Sequence, residues 1–300
     1  MKYLFTTFFF FIFYIPFISG QSFTSGKIIS FDTQEAVPYA AVYLKEAKTG
    51  VYSDLNGYFK ITIPDSDNGD TLIIKHLGFE NQGFPVSEIN DLSTFILHPN
   101  KHNLAEIVVR SVPGKIYLPG KVKKKTPGSY FNSSGNYYQT ARFISLDDFS
   151  GKKIKLRSVQ YFIGKNGEYN APFGVRLYAL NDTTGLPGEE LLDKQVIIQA
   201  KKKNAWVKAN LDTMNIFLSG KGVFVAMEWL PVYPEYKYTN IKGITNACKN
   251  VCYGQVLGIT NELKENQTFV KSAFGKWTKN HIDFHFIPNA MIYIEVEVFD

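Results

Sequence analysis

Ile292, Ile294, Val296 and Val298 alternate one for one with Tyr293, Glu295, Glu297 and Phe299. Only an extended strand with one buried and one exposed face places such a run correctly. The same two-residue period recurs along the chain. Val42 and Leu44 oppose Ala41, Tyr43 and Lys45, and Phe59, Ile61 and Ile63 oppose Tyr58, Lys60 and Thr62. No long stretch carries the wider period of an amphipathic helix. Aromatic residues make up 15% of the chain, which suits pleated, half-buried surfaces. With 45% hydrophobic and 20% charged residues, the chain can build packed cores and is not globally disordered. The reading is an all-β protein, and 300 residues suggest two domains.

The strand signals fall into two groups. From 21 to 110, short strands separated by turn residues point to a first β-sandwich. Among the turns, Asp54-Leu-Asn56-Gly57 has the composition of a hairpin turn, because Asn and Gly tolerate positive φ. Residues 111–135 hold Pro113, Pro119, Pro127 and a lysine cluster (Lys121, Lys123, Lys124 and Lys125), and read as a linker. From 136 to 300, candidate strands such as Tyr137 to Ser145, Phe173 to Leu180, Gly222 to Trp229 and Ala290 to Phe299 suggest a second sandwich of jelly-roll type.

Residues 1–20 have another character. Lys2 precedes an apolar run from Leu4 to Ile18, interrupted by Pro16 and ending at Ser19-Gly20. That is the layout of a secretory signal peptide. Its removal would leave no segment apolar and long enough to span a bilayer as a helix. The expected location is therefore the periplasm, the outer-membrane surface or the medium. The formal charge of +6 reflects the first lysine cluster and a second at Lys201, Lys202 and Lys203. Export argues against a nucleic-acid partner. The lysines read as solvated segments, with contact to an acidic surface glycan or membrane head groups left open. Cys248 and Cys252 form an even, closely spaced pair, which in an exported protein suggests a disulfide.

Gly26-Lys-Ile, the Ala36-Val-Pro38 turn leading to Ala40-Ala-Val42, and Ser53-Asp54-Leu-Asn56-Gly57-Tyr-Phe59 stand in a fixed order. Thr71-Leu72, Leu77-Gly78-Phe79 and Leu104-Ala-Glu106-Ile-Val-Val109 follow. On these motifs the first domain resembles the carboxypeptidase-regulatory-like domain, a small transthyretin-like, Ig-like β-sandwich. The resemblance implies a non-catalytic module. In metallocarboxypeptidases such a module follows the catalytic domain. In Bacteroidetes-type bacteria it precedes the plug of TonB-dependent outer-membrane receptors. More loosely, Val175-Arg-Leu-Tyr178, Gly185-Leu-Pro187-Gly188 and Gly222-Val-Phe-Val225 are similar to jelly-roll modules that accompany it.

Three constellations carry candidate chemistry. Trp229, Tyr233, Tyr236 and Tyr238, stiffened by Pro231 and Pro234, could stack on sugar rings or apolar ligands; the alternative is a loop packed on its own sandwich. On a strand, His281, Asp283 and His285 would share a face, a plausible ligand set for zinc or another divalent metal, while plain alternation explains the same pattern. Asp65-Ser-Asp67-Asn68-Gly69-Asp70 reads as a solvated turn rather than a calcium loop. The chain has no G-x-S-x-G, H-E-x-x-H, P-loop or G-x-G-x-x-G pattern. The expectation is an exported, non-catalytic binding or scaffolding protein of the cell envelope, with a cell-surface glycan or an envelope protein as partner and no cofactor. The alternatives are a metal-dependent hydrolase using the His281/Asp283/His285 face, and an accessory subunit of a TonB-dependent receptor.

Overall fold

The computed structural model describes residues 22–47, 49–64, 69–100, 113–123, 125–126, 129–133, 137–231, 234–239, 251–272, 274–280 and 286–299. Nearly all regular structure in it is β, arranged as two sandwiches.

In the first sandwich, Ser22–Ser30 lies between Tyr58–Ile63, to which it is antiparallel, and Ser93–Leu97, to which it is parallel. The facing sheet runs Gly50–Tyr52, Ala41–Leu44, Thr71–Lys75 and Gln82–Pro85, all antiparallel. The alternation read from sequence decides which side chains enter the core. Val42, Leu44, Phe59, Ile61, Ile63, Leu72 and Ile74 are buried between the sheets with Ile28, Phe95 and Leu97. Ser53 joins them without an orphaned polar atom: its hydroxyl donates to the Val37 carbonyl at 2.8 Å and accepts the Ala40 N–H at 2.9 Å.

The Asp54–Gly57 turn does not close a hairpin. Gly50–Tyr52 and Tyr58–Ile63 belong to different sheets, so the turn carries the chain across the sandwich. Asp54 Oδ1 accepts the N–H groups of Asn56 and Tyr58, and Gly57 sits at φ +77° with a Cβ position only 2.4 Å from the Ile28 carbonyl oxygen. Only glycine fits there. Of the acidic run that follows, residues 65–68 lie outside the described residues. Asp70 is buried rather than solvated, and its carboxylate receives the N–H groups of Glu46 and Ala47.

The second sandwich is larger and wholly antiparallel. One sheet has the order Pro187–Glu190, Phe173–Leu180, Gly222–Trp229, Tyr137–Ser145, Thr268–Ser272 and Thr278–Lys279, with Val196–Ile198 beside Phe173–Leu180. The other has Asn289–Ala290, Gln255–Thr260, Lys153–Gly167, Ile292–Phe299 and Lys115–Tyr117, joined by Ala205–Asn210, Phe217–Leu218 and Tyr130–Phe131. Val223, Val225, Met227 and Trp229 enter its core from one sheet, and Ile292, Ile294, Val296 and Val298 from the other.

The segment expected to be a linker is part of this sandwich. Lys115–Tyr117 pairs with Ile292–Phe299, Tyr130–Phe131 pairs with Gln255–Thr260, and Val122 is buried. Its prolines and lysines obscured strands too short to show a period. Arg142, on the inner face of the first sheet, secures the arrangement. Its Nη1 donates to the carbonyls of Gly120 and Ile292, each at 2.8 Å. Burial lowers its pKa to about 10, so the guanidinium stays charged at neutral pH.

Candidate ligand-binding site

The four-stranded sheet of the first sandwich presents its outer face, with Ala41, Tyr43, Tyr52 and Lys75, towards the outer face of the seven-stranded sheet of the second. On the latter sheet, alternation sends Val225, Met227 and Trp229 inward and leaves Glu228 outside, 2% exposed, beneath the first domain. Cross-strand register then assembles a polar row: Gly174, Glu228, Gln139 and Lys271 stand opposite one another on four adjacent strands.

Glu228 is the hub of that row. Its Oε2 accepts from Arg176 Nε at 2.8 Å, and its Oε1 accepts from Gln139 Nε2 at 2.8 Å and from Tyr52 Oη of the other domain at 3.4 Å. Gly174 makes room for it, because a Cβ there would lie 2.9 Å from Glu228 Oε2. Tyr178 Oη donates to Gln139 Oε1 at 2.8 Å, and Arg176 Nη1 lies 3.2 Å from Glu190 Oε1. Burial opposes the Arg176 charge, but Glu228 and Glu190 more than offset it and hold the pKa above the ordinary guanidinium range. Burial raises the Glu190 carboxyl, against the pull of Arg176, and lowers the Lys271 ammonium, helped by Lys75. His76 reaches across to Gln195 at 2.7 Å, and burial lowers its pKa in spite of that bond. These groups surround a cavity of about 330 Å³ between the domains.

A wider cleft of about 610 Å³ opens along the same seam. The first domain contributes Tyr52, Asp54, Tyr58 and Lys60, and the second contributes Ser133, Lys237, Tyr253 and Phe274. Phe274 stacks on Tyr43 at 5.1 Å and crowds Gly50, where a Cβ would come within 2.6 Å of its ring. The walls thus combine aromatic faces with a carboxylate, two ammonium groups and hydroxyls, a mixture that suits a polyhydroxylated ligand.

The residues singled out from sequence are distributed otherwise. Trp229 is not an exposed platform: it is fully buried in the second core, with Nε1 donating to the Gln255 carbonyl at 2.8 Å. It ends a strand buried on both faces, and the first domain covers the side that the sequence left open. Tyr236 packs on the same core and meets Tyr253 edge-on at 6.3 Å. Burial raises the Tyr238 phenol. The segment reaches the cleft through Pro231 and Lys237, not through these rings. Tyr233, His281, Asp283, His285 and Cys248 lie outside the described residues; Cys252 is disulfide-bonded. Among the described residues, no group of three metal-ligating side chains converges.

Sequence reasoning passed over Tyr52, Tyr58 and Lys60. Their outward-facing positions were legible from alternation, but nothing local says that a second domain faces them.

Residues 24–109 match the CarboxypepD_reg-like domain, and the first sandwich is therefore a carboxypeptidase-regulatory-like module. No curated protein matches the chain. Among solved structures, the cysteine protease and lectin-like domains of a surface layer associated protein of Clostridium difficile are similar at 15% identity and a TM-score of 0.35; the match covers 54% of this chain and 32% of that one. A DUF3823 family protein from Bacteroides ovatus is similar at 12% identity and a TM-score of 0.22, covering 91% of this chain and all (100%) of its own. A putative carbohydrate binding protein from Bacteroides uniformis is similar at 11% identity and a TM-score of 0.18, with 79% and 98% covered. No helix among the described residues is long and apolar enough to cross a membrane.

Proposed function

We propose that the protein is an exported, non-catalytic binding protein of the cell envelope that holds a glycan in the cleft between its two sandwiches. The observation that carries this reading is the composition of the cleft. Tyr52, Tyr58 and Phe274 offer ring surfaces, while Asp54, Lys60 and Lys237 offer donors and acceptors. A concave site at a domain boundary, with rings for sugar faces and a few fixed polar groups for hydroxyls, suits carbohydrate. The regulatory-type module would serve as one wall of the site, and the buried Arg176–Glu228 seam would hold that wall in place.

A glycan array followed by titration calorimetry tests the reading. Tyr58 is 48% exposed, so Tyr58→Ala should leave the fold intact. Loss of one stacking face should weaken binding about tenfold, equivalent to ~1.4 kcal/mol. Binding unchanged in both Tyr58→Ala and Lys237→Ala would place the ligand elsewhere.

A further inference from the structure

The two lysine clusters, far apart in sequence, meet on the opposite side of the second sandwich. The outer face of its eight-stranded sheet carries Phe162 opposite Trp206 and Gln160 opposite Tyr293. The Trp206 ring stands nearly perpendicular to those of Phe162 at 5.4 Å and Tyr293 at 4.7 Å. From the first cluster, Lys121 lies over the Tyr293 ring at 5.9 Å, and Lys125 over the rings of Tyr130 at 5.2 Å and Phe162 at 5.6 Å. Lys125 Nζ also donates to Asn204 Oδ1 at 2.9 Å, which binds the first segment to the loop holding the second cluster. Lys201, Lys202 and Lys208 are exposed around a depression of about 280 Å³ that Trp206 and Gln199 also line.

The charge on this face is largely uncompensated. Lys208 pairs with Glu295 at 3.1 Å, whereas among the described residues no carboxylate lies within ion-pair distance of Lys121, Lys125, Lys201 or Lys202. Such a field draws a polyanion. Lysine ammonium groups lie over the rings of Phe162 and Tyr293, and Trp206 is the aromatic side chain that lines the depression. A single-stranded nucleic acid stacks successive bases on successive rings. One ring flanked by ammonium groups suits one pyranose within a chain that bears regularly placed acid groups.

We infer that this face is a second binding site, distinct from the inter-domain cleft, for an acidic polysaccharide. Trp206 stacks on a sugar ring while Lys201, Lys202 and Lys121 pair with its carboxylate or sulfate groups.

Titration calorimetry on the full chain tests this with five probes: an oligogalacturonate, its neutral methyl ester, a sulfated oligosaccharide, phosphatidylglycerol vesicles and an oligothymidylate. The oligogalacturonate should bind and its ester should not. Lys201→Gln combined with Lys202→Gln changes only exposed side chains, and should weaken binding about fivefold while flattening its salt dependence. Trp206→Leu should weaken it further in protein whose circular dichroism is unchanged, and Tyr58→Ala should leave it unaltered. The inference fails on equal affinity for acid and ester, on no binding of either oligogalacturonate or a sulfated oligosaccharide, or on an unmoved double-glutamine variant. Tighter binding to the vesicles or the oligothymidylate than to the glycan would also overturn it.

Discussion

Glu228→Gln removes one negative charge and changes almost nothing in shape. Glu228 is 2% exposed and its two oxygens accept three hydrogen bonds, from Arg176, Gln139 and Tyr52. A glutamine in its place must turn an NH2 group towards a donor, either Arg176 Nε or Gln139 Nε2. Breaking a buried ion pair by removing one partner costs about 3–5 kcal/mol. Here Glu190 stays 3.2 Å from Arg176, and the adjoining cavity of about 330 Å³ can admit water. Both reduce the loss, to about 2–3 kcal/mol by the same reasoning. At ~2–4 °C per kcal/mol for a domain of this size, the melting temperature should fall by about 4–12 °C. Urea unfolding followed by tryptophan fluorescence reads the change directly, because Trp229 is the next residue on the same strand. Gly174→Ala should act in the same direction, since its Cβ displaces the Glu228 carboxylate from Arg176. Replacing Arg176, Glu190 and Glu228 together by methionine removes the desolvation cost of the ions and leaves mainly the buried Gln139 amide without its acceptor, a loss of about 1–3 kcal/mol. A Glu228→Gln protein within 0.5 kcal/mol of the parent would refute the hub role drawn for Glu228.

Two further predictions concern other groups. Trp229→Phe should cost about 1–3 kcal/mol by orphaning the Gln255 carbonyl, and Trp229→Ala about 3–5 kcal/mol by leaving a cavity; ligand affinity of the folded Phe variant, measured by calorimetry, should be unchanged. The folded pKa of His76 lies below its ordinary 6.5, so its contribution is intact above that pH and is lost as pH falls through 6.5 towards the folded value. Glu190, shifted upward from 4.5, has the opposite sign: its contribution is lost as pH rises through its folded value. The urea midpoint should therefore drop between about pH 7.5 and pH 5.5, and His76→Gln should remove that drop.

Alternation along single strands made much of the fold legible. The pattern at 292–299 and at 58–63 gave both the strand and its buried face, and the Ser53–Phe59 motif identified the first module. What alternation cannot supply is the environment of the outer face. Glu228 and Tyr52 each look like ordinary solvent-facing residues, and only docking of one sandwich on the other turns them into partners. Trp229 misled for the same reason, since a loop beginning with a tryptophan reads alike whether the ring faces water or a core. The short strands at 115–117 and 130–131 are below the length at which a period of two can be recognised, so proline content dominated the reading. The lysine clusters were visible, but their convergence depends on pairing across the eight-stranded sheet.

That sheet has a consequence for the order in which the molecule can be made. Lys115–Tyr117 lies near the start of the second sandwich and its partner Ile292–Phe299 near the end, and Arg142 grips the Ile292 carbonyl from within. A chain emerging from a ribosome or threading through a membrane pore delivers the closing strand last. Until then Lys153–Gly167 lacks a central neighbour, and its inward row of Val159, Tyr161 and Ile163 has nothing to complete the sheet beside it. Among the described residues, every strand of the first sandwich pairs within it, so that its sheets can form early. The second must wait for Ile292–Phe299, and until that strand arrives it exposes an unpaired edge open to pairing with a neighbour.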